Sequence, residues 1–322
     1  MFKALRLVVL SLVGLSLTAV SALAQGGVTN STKNPLQIAT LHWYKANHTT
    51  SFAVGAFPQG VAFDGADIWV ANFSSSTVTK LRANDGNVLG TYFVGANPLG
   101  VAFDGANIWV TNQVGSGTVT KVQASDGAVL GTFAVGPFPQ SVAFDGANIW
   151  VTNSNSTTVT KLRASDGNVL GTFPVGLQPR GVAFDGTNIW VSNSNSNTVT
   201  KLRSSDGAMM GTFLVGTTPV GLAFDGANIW VANEVSNNVT KLRISDGAVL
   251  GTFHSGGTQP VMVAFDGEDI WVTNFFNNVT KLRASDGAVL GTFSVGANPA
   301  GLAFDGANIW VTNSNSNSVS KL

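Results

Sequence analysis

One five-residue phrase, Ile68-Trp69-Val70-Ala71-Asn72, returns six more times along the 322-residue chain, with changes only at its fourth residue. The tryptophans of the seven copies are 40, 41, 40, 40, 41 and 39 residues apart, so near-identical units fill the chain from about residue 50 onward. A fixed period of this size is typical of supersecondary units stacked in a row or a ring. The repeat therefore limits the fold to a repeat architecture.

Each unit divides into four predicted strands, which in the fourth copy are residues 182–184, 189–192, 198–203 and 209–213. Asp-Gly pairs follow the first and third of these strands. This dipeptide favours tight turns because Gly adopts positive φ and Asp bonds its own backbone. Four antiparallel strands in about 40 residues correspond to one propeller blade. The second strand is apolar on both faces, which predicts packing on both sides. We therefore predict an all-β fold, a seven-bladed β-propeller with four antiparallel strands per blade.

The register of the repeats predicts how the ring closes. The seventh copy stops after its third strand, at Lys321-Leu322. The segment before the first copy, Thr50–Gly55, matches the fourth strand and exit of another copy, Gly131–Gly136. We expect this N-terminal strand, about residues 49–55, to complete the last blade and to remove the open edge. An open stack of units is the alternative.

The first 24 residues have the pattern of an export signal. Lys3 and Arg6 precede an apolar stretch over residues 7–20, and Ala22-Leu23-Ala24 forms a small-residue cleavage site before Gln25. The apolar stretch is short for a membrane anchor, which is the alternative. We predict a signal peptide at 1–24, a flexible leader at 25–48 and the propeller at 49–322. The predicted location is periplasmic, extracellular or at the cell surface.

Composition limits the partners. Lys plus Arg and Asp plus Glu both number 17, so bulk charge indicates neither a nucleic-acid partner nor a membrane surface. The chain has no cysteine, so the exported fold must be held by packing without disulfides. We expect no insertion of the mature chain into a membrane, and the oligomeric state stays open.

Four copies contain Trp-Val-Thr-Asn, at 109–112, 150–153, 271–274 and 310–313. The phrase resembles the Tyr-Val-Thr-Asn signature of the YVTN β-propeller repeat family, and a preceding Val-Gly-x-x-Pro-x-Gly agrees with it. Trp replaces Tyr in every copy, and the Thr becomes Ala at 71 and 232 and Ser at 192. The resemblance implies an exported or surface-associated seven-bladed propeller, related to periplasmic YncE-like and archaeal surface-layer proteins. It implies no single activity.

Comparison of the copies separates scaffold from candidate site. The two Asp-Gly turns barely change, whereas the blade-to-blade connection and the loop after the signature Asn change freely. Up-and-down strands place both changing loops on one face, which we name the variable face. The residue after each connecting proline should surround the mouth of the central channel: Gln59, Leu99, Gln140, Arg180, Val220, Val261 and Ala300. The candidate binding residues are Phe57, Gln59, Phe73, Leu99, Gln113, Phe138, Gln140, Gln178, Arg180, Glu234, Phe275 and Phe276. Neutral drift at tolerant loop positions is the alternative explanation.

Beyond the leader, the variable slots contain three ionisable residues, Arg180, Glu234 and His254, whereas Asp67, Glu268 and Asp269 lie in the first turn on the other face. Arg180 and Glu234 lie in successive copies and are near enough in the predicted fold to form an ion pair. The three in the variable slots are weak catalytic candidates in a streptogramin-lyase-like or lactonase-like propeller enzyme. Such enzymes hold a metal with several ligands at the channel. The channel positions here offer no acidic cluster, so we predict no metal site and no cofactor.

The sequence thus favours an exported binding or scaffold module that recognises a protein or a glycan through the variable face. The alternatives are a streptogramin-lyase-like or lactonase-like enzyme and a structural cell-surface or matrix protein. No sequence feature requires an enzyme. The identity of the ligand stays open.

Overall fold

Each repeat unit forms one four-stranded antiparallel sheet, and seven such sheets follow one another around a ring. The computed structural model describes residues 50–322. The predicted signal peptide and leader lie outside these described residues. The fold is a seven-bladed β-propeller, as predicted from the repeat.

Strands are numbered in chain order, and each blade runs from an inner strand at the axis to an outermost strand at the rim. The inner strands are β2 (Pro58–Phe63), β6 (Pro98–Phe103), β10 (Pro139–Phe144), β14 (Pro179–Phe184), β18 (Pro219–Phe224), β22 (Pro260–Phe265) and β26 (Pro299–Phe304). The second strands are β3 (Asp67–Asn72), β7 (Asn107–Asn112), β11 (Asn148–Asn153), β15 (Asn188–Asn193), β19 (Asn228–Asn233), β23 (Asp269–Asn274) and β27 (Ile309–Asn313).

The third strands are β4 (Thr77–Arg82), β8 (Thr118–Gln123), β12 (Thr158–Arg163), β16 (Thr198–Arg203), β20 (Asn238–Arg243), β24 (Asn278–Arg283) and β28 (Ser318–Lys321). The outermost strands are β5 (Val88–Phe93), β9 (Val129–Ala134), β13 (Val169–Pro174), β17 (Met209–Leu214), β21 (Val249–His254), β25 (Val289–Ser294) and β1 (Thr50–Ala53). Single 3₁₀ turns follow β3 (Phe73–Ser75) and β27 (Ser314–Ser316). No helix within residues 50–322 has the length and apolar character needed to cross a membrane.

The ring closes through the two ends of the described chain. β1 pairs with β28 in antiparallel register, with Phe52 opposite Val319, and so supplies the fourth strand of blade seven. The Phe52 ring stacks on Trp310 of the same blade at 5.6 Å between centroids. Closure by the N-terminal strand is therefore confirmed.

The core lies between blades. Trp109 and Val119 of blade two pack against Ile149 and Leu162 of blade three, and equivalent clusters recur around the ring. The Trp109 ring also lies 5.6 Å from Phe133 on the outermost strand of its own blade. Burial of large aromatic residues on both sides of each sheet is the main apolar stabilisation of a chain without disulfides.

The invariant Asp of the first turn anchors the signature tryptophan. Asp104 Oδ1 accepts the amides of Ala106 and Asn107, and Asp104 Oδ2 accepts the Trp109 indole N–H at 2.7 Å. Burial raises the pKa of Asp104, but these hydrogen bonds lower it more, so the pKa lies below its usual value. The turn thus has the structural role expected from sequence, with a tryptophan contact that the sequence did not reveal.

The lysine of the third strand joins neighbouring blades. Lys121 Nζ lies 5.2 Å from the centroid of the Trp109 ring and donates to the backbone oxygen of Ala164 in blade three at 2.7 Å. Lys321 makes the same contact from blade seven to Ala83 of blade one. Lys121 is 7% exposed, and the ring face and carbonyl dipoles compensate its buried charge.

The signature asparagines are buried, as a structural role requires, but their partners differ from those expected. Their presence in all seven copies predicts a structural role, with bonds to backbone groups at the loop entrance. Asn112 Nδ2 instead donates to the hydroxyls of Thr118 and Thr120 on the third strand. Only Asn193 accepts a backbone amide, from Gly176, among the bonds of these side chains within residues 50–322.

Candidate functional site

The central channel is formed by the seven inner strands and contains a cavity of about 250 Å³. Its lining includes the residue after each connecting proline, as the sequence predicts: Gln59, Leu99, Gln140, Arg180, Val220, Val261 and Ala300. We call these seven the mouth residues. Each follows the first residue of an inner strand, where a bulge shifts the pairing with the second strand. The bulge changes the direction of the strand at the point where the mouth residues reach the channel.

The hydroxyl of the signature phrase fixes the backbone of the channel mouth. Thr111 Oγ1 accepts the amide of Gly100 at 2.7 Å and donates to the backbone oxygen of Gln140 in the next blade at 3.0 Å. Ser192 makes the same bridge between Gly181 and Val220. Further bridges are made by Thr152, Thr273 and Thr312. Ala71 and Ala232 have no hydroxyl, so blades one and five lack this side-chain bridge.

The lining of the channel is polar on one side and apolar on the other. Gln59, Gln140 and Arg180 come from blades one, three and four. Blades five to seven contribute Val220, Val261, Met262 and Ala300. Gln59 Nε2 donates to Ser314 Oγ at 2.9 Å, whereas the Gln140 side chain has no hydrogen bond within residues 50–322. The channel mouth therefore offers one side-chain amide without a partner in the described residues, that of Gln140, beside an apolar wall.

The predicted ion pair forms at this mouth. Arg180 Nη1 lies 3.1 Å from Glu234 Oε2, and the two side chains are 27% and 31% exposed. The backbone of Glu234 is fixed by a hydrogen bond from its N–H to the backbone oxygen of Thr218. A single nitrogen of the guanidinium makes this contact, so its other N–H groups face the channel mouth or solvent.

Four phenylalanines of the variable face are exposed, Phe57, Phe138, Phe275 and Phe276, and the first two have a strained backbone. Phe57 (φ 55°) and Phe138 (φ 48°) precede connecting prolines and are 39% and 38% exposed. Positive φ is rare for bulky side chains and costs about 1–2 kcal/mol. Phe73 contacts Phe57 edge-on at 6.0 Å, and Phe275 contacts Phe276 at 5.5 Å. The structure thus places two aromatic pairs and one single ring on the variable face.

The other predicted residues are more dispersed. Leu99 lies at the channel mouth, and Gln178 (φ 54°) occupies the connection into blade four. The backbone of Gln113 bonds twice to Asn97. Its amide donates to the Asn97 backbone oxygen, and its carbonyl oxygen accepts a hydrogen bond from Asn97 Nδ2. These positions share a face without forming one cluster.

His254 does not join Arg180 and Glu234. It ends β21, the outermost strand of blade five, where it is exposed and accepts the Gly256 amide through Nδ1 at 3.0 Å. Strands are spaced about 5 Å apart, so three spacings, about 14 Å, separate the innermost strand of the blade from β21. The hypothesis that all three residues border one catalytic pocket is therefore corrected, because a fourth strand cannot reach the channel.

Ligands for a metal ion are not assembled in residues 50–322. No three His, Cys, Asp or Glu side chains of these residues are grouped as a metal ion would need. The repeated Asp carboxylates are occupied by their own turns and tryptophans, as Asp104 is. The described donor set therefore does not fit a metal centre.

Sequence reasoning missed two features of the surface. Leu177 and Val235 are exposed on the loops near Arg180 and Glu234, and their variation among the copies was the available signal. Each of six outermost strands also begins with two exposed apolar residues, Val88-Leu89 in blade one and their equivalents elsewhere. Five of the six pairs are Val-Leu and the sixth is Met209-Met210, so the pairs are as uniformly apolar as core positions and the pattern alone does not reveal their exposure.

The chain matches no protein-family model and no curated protein. Among solved structures it is similar to virginiamycin B lyase from Staphylococcus aureus, with 16% identity, a TM-score of 0.73 and coverage of 85% of this chain and 98% of the lyase. A catalytically inactive histidine variant of that lyase with quinupristin is similar at 18% identity and TM-score 0.73 over the same shares of the two chains. Kuenenia stuttgartiensis hydrazine synthase is similar at 18% identity and TM-score 0.68, over 83% of this chain and 95% of that one. At these identities the likeness establishes the fold alone.

Proposed function

We propose that this protein is an exported binding module that recognises its ligand through the variable face, centred on the channel mouth. The observation that carries the proposal is the convergence of non-repeated polar side chains on that mouth: Gln140 and Arg180 line the channel beside an apolar wall, and Glu234 pairs with Arg180. A concave site with a few convergent polar groups in an apolar lining is the usual form of a ligand pocket.

The repeated polar residues support the proposal by contrast. The polar atoms of these residues form hydrogen bonds to neighbouring strands or blades, as in Asp104, Lys121 and Thr111. They hold the scaffold together and leave few groups for a ligand. Gln140 has no partner in the described part of the chain, and Arg180 has one. The groups that are free to bind are those that differ between copies.

Export and family membership belong to the same proposal. The charged start, apolar stretch and small-residue site before Gln25 support a cleaved signal peptide. The cysteine-free propeller is compatible with an oxidising compartment since it has no thiol to oxidise. The seven signature phrases support membership of the YVTN-type repeat family.

A lyase-like enzyme is the second candidate, and the likeness to virginiamycin B lyase favours it. The position of His254 weighs against it, because this side chain is the only histidine within residues 50–322 and lies on an outermost strand. Incubation with quinupristin followed by mass spectrometry tests this candidate. Conversion of quinupristin by the parent protein, lost in the Glu234→Gln variant, would favour the enzyme over the binding module.

The binding proposal is tested on an array of neutral glycans, acidic glycans and peptides probed with the full chain. The mouth variant combines Gln140→Ala with Arg180→Ala. The matched control combines Arg163→Ala with Asp166→Ala, an exposed ion pair of the invariant outer turn at 2.9 Å. We expect binding that is lost in the mouth variant and kept in the control. Binding lost only in the control variant, or self-assembly with no ligand at all, would overturn the proposal.

A further inference from the structure

We infer that the variable face carries a binding strip for a neutral oligosaccharide over blade seven, flanked by an aromatic pair on each side. The inference rests on the proposed function and specifies a ligand class for one part of the same face. The strip comprises residues 275–277 of blade six, 297–298 and 314–317 of blade seven, the connecting residues 56–57 and residues 73–74 of blade one. Blades six, seven and one are consecutive around the ring.

Hydrogen bonds join the strip from end to end. The Asn298 amide donates to Asn277 Oδ1 at 3.2 Å, and the Ser314 amide donates to the Asn298 backbone oxygen at 3.0 Å. At the other end the Phe57 amide donates to Asn317 Oδ1 at 2.9 Å. The Phe73 amide donates to the Phe57 backbone oxygen at 3.1 Å. The two aromatic pairs are therefore held on one continuous, cross-linked surface.

The aromatic pairs flank a stretch of small polar residues. Phe275 and Phe276 stand at one end, and Phe57 and Phe73 at the other. Between them the strip contains only Ala, Asn and Ser. Phe276 is 57% exposed, and the side chains between the pairs are too short to cover it. The rings of Phe57 and Phe276 are consequently accessible to a ligand that lies along the strip.

The chemistry of the strip fits sugar hydroxyls. Asn298 and Asn315 have side-chain amides with no hydrogen bond within residues 50–322. An amide group donates and accepts at once, as a hydroxyl does. The negative face of an aromatic ring attracts polarised C–H groups, such as those on the face of a pyranose. Rings at the ends with amides between them therefore match a chain of sugars.

Charge excludes other classes of ligand. No residue of the strip is ionisable, whereas the charged pair of the variable face lies across the ring at Arg180 and Glu234. An acidic glycan or a charged peptide has no counter-charge here and would lose its hydration on binding. The uncharged strip is complementary to an uncharged, hydroxyl-rich ligand.

The backbone at Phe57 adds a second argument. Asn97 and Asn298 occupy the equivalent position in other blades, with φ of 54° and 52°. Asparagine tolerates positive φ better than phenylalanine does. An exposed phenylalanine is therefore retained at a position where asparagine would be more stable, which points to a use for the ring.

The test measures calorimetric binding of cellohexaose, mannohexaose, xylohexaose and chitohexaose to the full chain. The strip variant combines Phe57→Asn with Phe276→Asn. Other copies of the repeat already have asparagine at both positions. The control is Leu214→Asn, which removes an exposed apolar side chain from the end of an outermost strand in blade four. We expect at least one hexasaccharide to bind, with a Kd raised about tenfold or more in the strip variant and unchanged in the control.

Thermal unfolding accompanies each titration, and the strip variant should be at least as stable as the parent, since asparagine tolerates the positive φ of position 57 better. Failure of all four hexasaccharides to bind would overturn the proposal that the strip binds a neutral oligosaccharide. Binding that is lost in Gln140→Ala with Arg180→Ala but kept in the strip variant would also overturn it, while the proposed function would stand. Preference for a charged peptide would assign the face to a protein partner instead. If no array ligand binds at all, both proposals fail together.

Discussion

The guanidinium of Arg180 and the carboxylate of Glu234 lie 3.1 Å apart across the boundary between blades four and five. Both residues occupy slots that hold uncharged side chains in the other copies. The pair therefore breaks the sevenfold symmetry of the channel mouth. An invariant scaffold has no need of it, because the five hydroxyl bridges already join the backbones there.

The ion pair should matter more for binding than for stability. Glu234→Gln keeps the shape of the side chain and removes its charge. Since both side chains are about a third exposed, we expect the free energy of unfolding to change by no more than about 1 kcal/mol. Ligand affinity on the array should change clearly. Urea unfolding and array titration of the same sample separate the two effects, and a large loss of stability with unchanged affinity would make the pair structural.

The missing hydroxyl of blade five gives a stability prediction. Ala232→Thr should restore the bridge between the Gly221 amide and the Val261 backbone oxygen, and should raise the free energy of unfolding by about 1 kcal/mol. A Cβ placed on Gly221 would lie 2.7 Å from that oxygen, against 2.6 Å for the bridged Gly100 and Gln140, so the spacing fits a threonine. Urea unfolding measures the change. Thr111→Val is the reciprocal variant and should destabilise, and a neutral result in both variants would contradict the bridge.

The turn carboxylates predict acid sensitivity. The pKa of Asp104, Asp225, Asp266 and Asp305 lies below its usual value, since hydrogen bonds from Trp indoles and turn amides outweigh burial. A lowered folded-state pKa stabilises the fold above the unfolded-state pKa, about 3.9, and this stability disappears as the pH falls through the folded-state values. We expect urea midpoints to be constant near neutral pH and to fall steeply below about pH 4.

One substitution isolates this effect. Asp104→Asn should lower the stability at pH 7 by about 1–3 kcal/mol and reduce the loss on acidification. Asp126→Asn, in the exposed outer turn of the same blade, is the matched control and should change both quantities little. Equal acid sensitivity in the Asp104→Asn variant and the parent would show that other groups cause the acid unfolding.

Closure of the ring can be tested at one side chain. Phe52→Ala removes the ring that stacks on Trp310 and should cost less than the ~3–5 kcal/mol of a fully buried phenylalanine, because Phe52 is only partly buried; amide exchange in β26 to β28 should become faster. Phe133→Ala removes the equivalent ring from β9, which is covalently joined to its own blade. β1 and β28 are paired in space but stand at opposite ends of the described sequence, so only side-chain and ladder contacts hold β1 in its blade. Local exchange should therefore rise more in the Phe52 variant. Equal exchange in blades two and seven would argue against the N-terminal strand as the closing element.

The repeat predicted the fold in detail because each unit contains its own turn signals and its own core residues. The Thr50–Gly55 match even predicted the closing strand, which pairs through Phe52 and Val319. The variation between copies likewise predicted the mouth residues and the proximity of Arg180 to Glu234. Contacts between blades were harder to foresee, since the bond from Lys121 to Ala164 depends on how two sheets stack. His254 was grouped with Arg180 and Glu234 because of its unusual identity, which says nothing about the distance of its strand from the axis.

The central claim is that the ligand contacts the variable face at the channel mouth. Hydrogen exchange of the full chain, measured with and without the tightest-binding array component, tests it most directly. We predict protection of residues 57–60, 138–141 and 178–181, which lead into the channel, and no change in the invariant outer turns such as 163–168. Protection confined to those outer turns or to the outermost strands would contradict the account.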